Sequence, residues 1–274
     1  MEVLHYRFQP ELKWLGLIAI GDLHVGDPAF REDIFDLVMR WIDQNRTWVR
    51  LVLNGDVLNA ATKRSKSDIY QSRMSPQEEL DWAVERLYPY RDIILCVNTG
   101  NHEERISREV GIDVSQELAE RLGVPYSSSG AVLIVNFGKN EHGKPESYTI
   151  YVTHGTGSAR RIGGKLNNLE LQPLAVEAVD VYIWSHLHTP SYFGNRVFRV
   201  ESRARKKLDR HRHHLISMSF LDYGYAERHG LVPSAFILPV VMLCGTAHGV
   251  AATFADVGIL RHLSSSPVLT GAGQ

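Results

Sequence analysis

The chain has 274 residues, of which 44% are hydrophobic and 22% charged, and its formal net charge is −1 at pH 7. These values are ordinary for a globular protein and give no overall signal for a polyanionic partner. No run of about 18 apolar residues and no N-terminal leader pattern occurs, so we expect no membrane span and a cytoplasmic protein. Two cysteines, Cys96 and Cys244, exclude a cysteine-based metal site and are expected to be reduced.

The first half of the chain alternates apolar, strand-like runs with amphipathic helical patterns. Strands are predicted at 16–20, 49–53 and 93–97, and helices at 31–45, from Ser75 to about Leu87, and from about Asp113 to Leu122. Ser75, Pro76 and Glu78 form a capping-box sequence at the start of the second helix. Such alternation is typical of βαβ units.

From Ala131 the pattern changes to successive strands. They are predicted at 131–137, 147–152, 181–184, 192–200, 215–220 and 236–243. The whole order favours an α/β fold, a sandwich of two packed mixed β-sheets flanked by helices. We expect one catalytic domain at 1–245 and a C-terminal tail at 246–274, rich in Ala, Gly and Ser, that is partly mobile at its end.

Polar side chains with metal-binding chemistry follow five of the apolar runs. The strings are GDLHVG (21–26), NGDVLN (54–59), GNHE (100–103), THG (153–155) and SHLHTP (185–190). Because the carboxyl ends of strands in open α/β sheets meet at one rim, these side chains are expected to converge. Seven of them are candidate metal ligands: Asp22, His24, Asp56, Asn101, His154, His186 and His188.

The seven candidates supply three oxygen donors and four imidazoles. This mixture suits borderline divalent ions such as Mn²⁺, Zn²⁺, Fe²⁺ or Co²⁺ better than Ca²⁺. Any one string alone is weak evidence, because an isolated His is more often structural. The five strings together predict a two-metal hydrolase.

The order and spacing of the strings resemble the calcineurin-like metallophosphoesterase family, whose pattern is D-x-H, GD, GNH[DE], H-G and GHxH. The resemblance covers roughly residues 16–200 and implies two divalent ions, with Mn²⁺ favoured over Zn²⁺, Fe²⁺, Co²⁺, Ni²⁺ or Mg²⁺. It implies that Asp22, His24, Asp56 and His188 hold one ion, and that Asp56, Asn101, His154 and His186 hold the other, with Asp56 as the bridge. Segments 153–170 and 219–230 are similar to a subgroup often found in phage and prophage genomes.

Two positions depart from the family pattern. Ser185 replaces the Gly of GHxH, which we expect to be a minor change because Ser can still make the turn. The protein phosphatases of the family carry GDxxDRG, whose second Asp orients the catalytic His, whereas this chain has Asn59 there and no following RG. A protein-phosphatase activity is therefore disfavoured, and the residue that orients His102 is not identified by the sequence.

His102 directly follows the predicted ligand Asn101 and is expected at the same rim. Two divalent ions lower the pKa of water and steady the attacking and leaving oxygens of a phosphate, so a hydroxide bridging the metals is the expected nucleophile. The leaving alkoxide needs a proton, which His can donate near neutral pH. In line with the family, His102 is assigned as the general acid, with a hydrogen-bonding role beside the metals as the alternative.

Basic segments carry the signal about the substrate. The loop after Asp56 contains Lys63, Arg64, Lys66 and Arg73, and the loop after His154 contains Arg160, Arg161 and Lys165. Both loops follow ligand-bearing strands, so their charges suit a substrate with several phosphates. The candidate substrate-binding residues are Asn59, Lys63, Arg64, Arg160, Arg161 and Lys165. A third segment, 199–214, has seven Arg or Lys against two acids, and either binds a polyanion or is a solvated face.

The sequence thus predicts a two-metal phosphodiesterase or nuclease that acts on nucleic acid or a nucleotide. The alternatives are a phosphomonoesterase, a hydrolase of dinucleoside polyphosphates, and a non-catalytic metal-binding scaffold. The complete ligand set together with His102 argues against the scaffold. The expected partner is a phosphate ester, with no membrane involved, and the sequence does not determine the oligomeric state.

Overall fold

The structure is a computed structural model that describes residues 1–9, 11–65, 69–139, 143, 145–171, 175–201 and 206–262. Lys66 of the first basic loop, Arg203 and Arg205 of the third basic segment, and the end of the tail at 263–274 lie outside the described residues. No helix in the described part of the chain is long and apolar enough to cross a membrane.

Two six-stranded sheets form the centre of the molecule. The first, sheet 1, has the order β12-β11-β2-β3-β4-β5, with β2 (Trp14–Ile20), β3 (Val49–Asn54), β4 (Ile94–Asn98), β5 (Tyr126–Ser127), β11 (Ile237–Cys244) and β12 (Val250–Asp256). Strands β2 to β5 are parallel, whereas β11 runs antiparallel to both β2 and β12.

Sheet 2 has the order β1-β6-β7-β8-β10-β9, with β1 (Glu2–Arg7), β6 (Ala131–Lys139), β7 (Pro145–Thr153), β8 (Val181–Trp184), β9 (Ser191–Glu201) and β10 (Lys206–Ile216). Strands β7, β8 and β10 are parallel, while β6 and β9 run antiparallel to their neighbours β7 and β10. The predicted α/β sandwich of two mixed sheets is confirmed.

The core lies in two layers because the strands of sheet 1 are apolar on both faces. Along β2, Leu15 and Leu17 face sheet 2, whereas Ile18 and Ile20 face the helices, as the twofold alternation of a strand requires. The α-helices found in the described residues are α1 (Glu32–Gln44), α2 (Pro76–Leu87), α3 (Asn101–Val110), α4 (Val114–Leu122), α5 (Ile162–Glu170) and α6 (Tyr223–His229). Helices α1, α2 and α4 cover sheet 1, and Leu169 of α5 packs on the outer face of sheet 2.

The three predicted helices are confirmed as α1, α2 and α4, and the capping box at Ser75 opens α2. Helices α3, α5 and α6 were not predicted. Helix α3 is polar apart from Ile106 and Val110, so it lacks the apolar period that signals a helix packed on a sheet.

The predicted strand at 215–220 is wrong beyond Ile216, where β10 ends. Strand β10 lies earlier in the chain than predicted, at Lys206–Ile216 within the basic segment, where it pairs antiparallel with β9 (Ser191–Glu201). The segment set apart as a tail begins with β12, which pairs with β11 along its whole length. Residues 250–256 are therefore part of sheet 1, while the domain boundary at 245 stays a prediction.

Candidate metal centre

The ends of five parallel strands bring the seven predicted ligands to one end of the sandwich. Asp22 and His24 follow β2, Asp56 follows β3, and Asn101 opens α3 just after β4. On the other sheet, His154 follows β7, and His186 and His188 follow β8. The backbone amide of His186 donates to Asp22 Oδ2 at 2.9 Å, which joins the loops of the two sheets.

Left-handed backbone is concentrated at these ligands. Non-glycine residues rarely adopt positive φ, although Asp and His tolerate it better than most. Five of the ligands have it: Asp22 (φ 52°), His24 (50°), Asp56 (50°), His186 (65°) and His188 (53°). Strained backbone of this kind clusters at functional sites, where the surrounding structure holds it in place.

The first group of converging ligand atoms comes from Asp22, His24 and His188. Their atoms lie within 4.8 Å of one another. The Nε2 atom of His188 is 3.2 Å and that of His24 is 4.0 Å from Asp22 Oδ1. Asp22 and His24 are fully buried, so solvent does not reach these two ligands.

The second group consists of Asp56, His154 and His186, again with ligand atoms within 4.8 Å of one another. Asn101 belongs with it, because Asn101 Oδ1 is 3.2 Å from His154 Nε2. Asp56 Oδ2 lies 3.3 Å from His154 Nε2 and 3.7 Å from His24 Nε2. Asp56 therefore stands between the two groups.

Two buried imidazole nitrogens support the presence of cations here. His24 Nε2 and His186 Nδ1 are buried and have no hydrogen-bond partner among the described residues. A buried polar atom left without a partner is costly, and metal coordination would satisfy both nitrogens. The residues present thus fit two divalent ions.

The carboxylates and imidazoles of the site shift each other's pKa values. Burial opposes ionisation of Asp56, but the surrounding imidazoles, above all His154, hold its pKa well below the ordinary value. Burial likewise disfavours a charged His154 ring, yet the Asp56 carboxylate raises its pKa to about 10. For His24, burial and the neighbouring His102 keep the pKa well below the ordinary value, as a neutral metal ligand requires.

Glu103 braces the loop that carries Asp56. Its carboxylate accepts hydrogen bonds from the backbone amides of Asp56 (3.0 Å), Leu58 (2.8 Å) and Gly100 (3.1 Å). Burial, and then repulsion from Asp56, raises its pKa to about 7. Gly100 is needed for the close approach, because a Cβ there would lie 2.1 Å from the Asp56 amide nitrogen.

The departure at Ser185 has a structural role. Asn54 Nδ2 donates to Ser185 Oγ at 2.7 Å and to the carbonyl of Thr153 at 2.8 Å. Ser185 Oγ is also 2.8 Å from Ser217 Oγ. The hydroxyl therefore joins sheet 1 to the ligand-bearing loop of sheet 2, which a Gly at this position could not do through a side chain.

The position of His102 answers the question left open by Asn59. His102 Nδ1 lies 2.8 Å from the main-chain oxygen of Asn59, so a backbone carbonyl is the orienting partner. His24 Nδ1 is also 3.2 Å from the same His102 nitrogen. The other nitrogen, His102 Nε2, lies 3.9 Å from Asp56 Oδ2, and His102 lines the cleft above the ligands. Burial lowers the pKa of His102.

An open cleft of about 450 Å³ lies over the ligands. Of the predicted substrate-binding residues, Arg64, Arg160 and Lys165 line it. Lys63 and Arg161 are exposed and are not among its lining residues. Asn59 is buried behind His102.

Lys165 lines the cleft but its ammonium group is engaged. Lys165 Nζ donates to the carbonyl of Leu187 at 2.7 Å and to Thr189 Oγ1. Only 3% of the residue is exposed, and burial lowers its pKa. Its observed contact is with the loop that carries His186 and His188, so holding this loop is the role that the geometry supports.

The described residues of the basic segment 199–214 do not line the cleft. Strand β8 pairs with β10 only from His213 to Ile216, so the described residues 206–212 run beyond the start of β8. Because β8 and β10 are parallel and β8 ends at the ligand loop, this extension points away from the metal centre. Its charges therefore face a different part of the surface.

Two lining residues, Arg105 and His229, were not predicted from the sequence, and Tyr225 lines the cleft with them. Arg105 lies one helical turn after His102 on α3, and its Nη1 is buried without a hydrogen-bond partner among the described residues. The Tyr225 ring lies 5.4 Å from the rings of both His24 and His188, between centroids. A prediction of α3 would have placed Arg105 on the His102 face, since residues three apart share a helix face.

Comparison with known proteins agrees with the geometry. The family model for calcineurin-like phosphoesterases matches residues 16–202. No curated protein matches the chain. A solved structure of Vps29 complexed with Zn²⁺ from Entamoeba histolytica is 14% identical and covers 89% of this chain and 99% of that one, but its TM-score of 0.27 is too low to support a structural argument. With five ligand strings in order and a matching family model, the chain belongs to the calcineurin-like phosphoesterase family.

Proposed function

We propose that the protein is a metal-dependent phosphodiesterase that hydrolyses nucleic acid or nucleotide diesters. The observation that carries this proposal is the pair of ligand groups meeting at Asp56 beside His102. Membership of the family supports hydrolysis of a phosphate ester. The cytoplasmic location and the likeness to the phage and prophage subgroup are parts of the same proposal.

The residues would hold two divalent ions, with Mn²⁺ proposed as the native metal. Asp22, His24 and His188 would bind one ion, and Asn101, His154 and His186 the other, with Asp56 shared. When bound, the ions would supply Lewis acidity at the phosphate and lower the pKa of the attacking water. The two aspartates return only two negative charges, so the loaded site stays attractive to an anion.

His102 would protonate the leaving oxygen. Its Nδ1 contacts a carbonyl oxygen, which can only accept, so His102 would donate from Nε2 in its doubly protonated form and keep the proton on Nδ1. His102 lines the cleft beside the ligands, within reach of a phosphate ester placed there.

The cations of the cleft favour a substrate with more than one phosphate. Arg64 and Arg160 are exposed at its wall, and Arg105 lies deeper, with no hydrogen-bond partner for its Nη1 in the part of the chain that the structure describes. A guanidinium matches the geometry of phosphate oxygens and binds them through two parallel hydrogen bonds. We propose that Arg105 contacts the reacting phosphate and that the outer arginines contact flanking phosphates.

A substrate panel tests the proposal. The Mn²⁺-loaded protein is assayed with bis-p-nitrophenyl phosphate, p-nitrophenyl phosphate, single-stranded and duplex DNA, RNA, cyclic nucleotides and dinucleoside polyphosphates. We expect diesters to be cleaved with higher kcat/KM than the monoester. Efficient monoester hydrolysis without cleavage of any nucleic acid or nucleotide diester would overturn the proposal and favour a phosphomonoesterase. Metal binding without hydrolysis of any compound would favour a scaffold.

A further inference from the structure

A single peptide group connects a buried carboxylate to His102. The carbonyl of the Asn59–Ala60 peptide accepts from His102 Nδ1 at 2.8 Å. The amide of the same peptide donates to Glu79 Oε2 at 2.7 Å. Glu79 lies on α2, far from the metal ligands in sequence, and is not part of the site described above.

The surroundings of Glu79 disfavour its ionised form but leave space for its side chain. The side chain is fully buried, and this burial raises its pKa to about 8. Gly26 provides the space, because a Cβ there would lie 2.2 Å from Glu79 Oε1. Ala60 has left-handed backbone (φ 47°), so the peptide held by Glu79 belongs to a strained turn. Among the described residues, Ser72 Oγ is a second donor, at 3.5 Å from Oε1.

We infer that Glu79 is a positioning residue for the general acid. By holding the amide of the Asn59–Ala60 peptide, Glu79 fixes the carbonyl that binds the Nδ1 proton of His102. Hydrogen bonds in series polarise one another, so the Glu79 carboxyl oxygen that accepts from Ala60 also strengthens the Asn59 carbonyl as an acceptor. His102 is then held with Nε2 toward the cleft. This inference rests on the proposed role of His102 as general acid.

The competing arrangement involves His24. Its Nδ1 lies 3.2 Å from His102 Nδ1 and could donate to that nitrogen. His102 would then carry its proton on Nε2 when neutral, and the Asn59 carbonyl would accept nothing from it. Each arrangement leaves one buried group without its partner, and we favour the proton on His102 Nδ1 because the contact with the Asn59 carbonyl is the shorter, 2.8 Å against 3.2 Å.

The first experiment compares Glu79→Leu and Glu79→Gln with the wild type on two diesters that differ only in their leaving group, thymidine 5′-phosphate p-nitrophenyl ester and phenyl ester. Phenolate needs protonation more than p-nitrophenolate. For Glu79→Leu we expect kcat on the phenyl ester to fall about 10- to 100-fold, with a smaller loss on the p-nitrophenyl ester and similar KM. Glu79→Gln should recover most of the loss, because its amide oxygen still accepts from Ala60.

Leu80→Ala is the matched control, since Leu80 is a buried neighbour on α2 that contacts the apolar core. It should lower stability without a leaving-group effect. Equal losses on both esters in Glu79→Leu, or a leaving-group effect of the same size in Leu80→Ala, would overturn the inference.

The second experiment does not depend on turnover. The tautomer of neutral His102 is read from ¹⁵N NMR of the Zn²⁺-loaded protein, with assignment through His102→Gln. We expect the Nδ1–H form in the wild type and in Glu79→Gln, and a mixture of tautomers in Glu79→Leu. An Nε2–H form in the wild type would overturn the inference, even if Glu79→Leu does not fold. If the wild type cleaves neither ester, the proposed function fails while this measurement still decides the role of Glu79.

Discussion

The two ends of the sandwich both carry clefts with imidazoles and carboxylates, and the larger one is not at the metal centre. The cleft over the ligands measures about 450 Å³, whereas a distal cleft at the other end measures about 640 Å³. The distal cleft is lined by Glu146, Asp180, Arg210, His213 and His248, among others. Its position follows from the strand directions, since it contains the beginnings of β7 and β8.

The two clefts differ in how their charges are satisfied. In the distal cleft, His248 lies between two acids, with Nδ1 3.5 Å from Glu146 and Nε2 3.8 Å from Asp180, and its ring stacks on Tyr148. None of the residues described as lining it has left-handed backbone. At the metal centre, one buried ring nitrogen each of His24 and His186 has no hydrogen-bond partner within the described ranges. The candidate catalytic site is therefore identified by buried ligand atoms that converge without hydrogen-bond partners among the described residues, and cleft volume does not identify it.

The largest effect is expected from the carboxylate shared by both ligand groups. Asp56→Asn removes the negative charge facing His154 and His24, so we expect loss of bound metal and hydrolysis at background level. Elemental analysis after Mn²⁺ saturation and assay of bis-p-nitrophenyl phosphate measure both. Asp180→Asn in the distal cleft is the control and should retain two ions per chain. Two ions retained in Asp56→Asn would contradict the shared site.

A second comparison uses one histidine from each cleft. His102→Ala should keep the metals but lower kcat by about 10²–10⁴ on poor leaving groups, the usual contribution of a positioned general acid. The loss should shrink for p-nitrophenyl esters, which hardly need a proton. His248→Ala should leave both rates unchanged. If His102→Ala lowered kcat by the same factor for all leaving groups, the role of His102 would instead be to position the substrate.

Arg105 provides a smaller, binding-level test. Arg105→Ala should weaken binding of inorganic phosphate to the Mn²⁺-loaded protein by about 1.5–3 kcal/mol, roughly ten- to a hundredfold in Kd, the range for a hydrogen bond to a charged group. Arg108→Ala is matched to it, because Arg108 lies on the same helix but is exposed and paired with Glu104. Calorimetric titration measures both variants. Equal affinities would remove Arg105 from the anion site.

The smallest effect concerns stability at the distal cleft. The neighbouring Asp180 carboxylate raises the pKa of His248 in the folded protein. The charged ring therefore stabilises the fold fully below the pKa of His in the unfolded chain, about 6.5, and this contribution is lost as the pH rises through the raised value.

Urea unfolding of the wild type and His248→Ala across this pH range measures the contribution. We expect the difference in unfolding free energy to shrink as the pH rises, and to stay below about 1 kcal/mol because the side chain is half exposed and screened by solvent. A difference that grows with pH would show that the ring is not charged in the fold.

The ligands could be predicted because each follows an apolar strand and strands of α/β sheets end at a common rim. The partner of His102 could not be predicted in the same way. Asn59 was noticed as a missing carboxylate, but the contact is made by its backbone oxygen, and Glu79 is twenty residues further along the chain. Which carbonyl faces which ring depends on the path of the loop, and side-chain identity carries no information about that path.

The direction in which strands β9 and β10 carry the basic segment could not be predicted from sequence patterns either. The charges of 199–214 are plain in the sequence, but whether they approach the metals is decided by the register of β10 on β8. Lys165 shows a related difficulty. A basic residue in a loop near the site suggests a phosphate contact, whereas its burial and its bond to the Leu187 carbonyl appear only in the folded chain.

The left-handed backbone of the ligand residues favours metal binding at the expense of stability. At His188 (φ 53°), glycine would remove a steric cost of about 1–2 kcal/mol and add an entropic cost of about 0.5–1 kcal/mol. The glycine also loses the contact of the His188 ring with buried Asp22, so we expect a His188→Gly chain without metal to have a free energy of unfolding close to that of the native chain, while it binds metal poorly. Engineering for thermal tolerance alone would accept such replacements and would remove the catalyst, so any stability screen of this protein has to retain metal content as a second criterion.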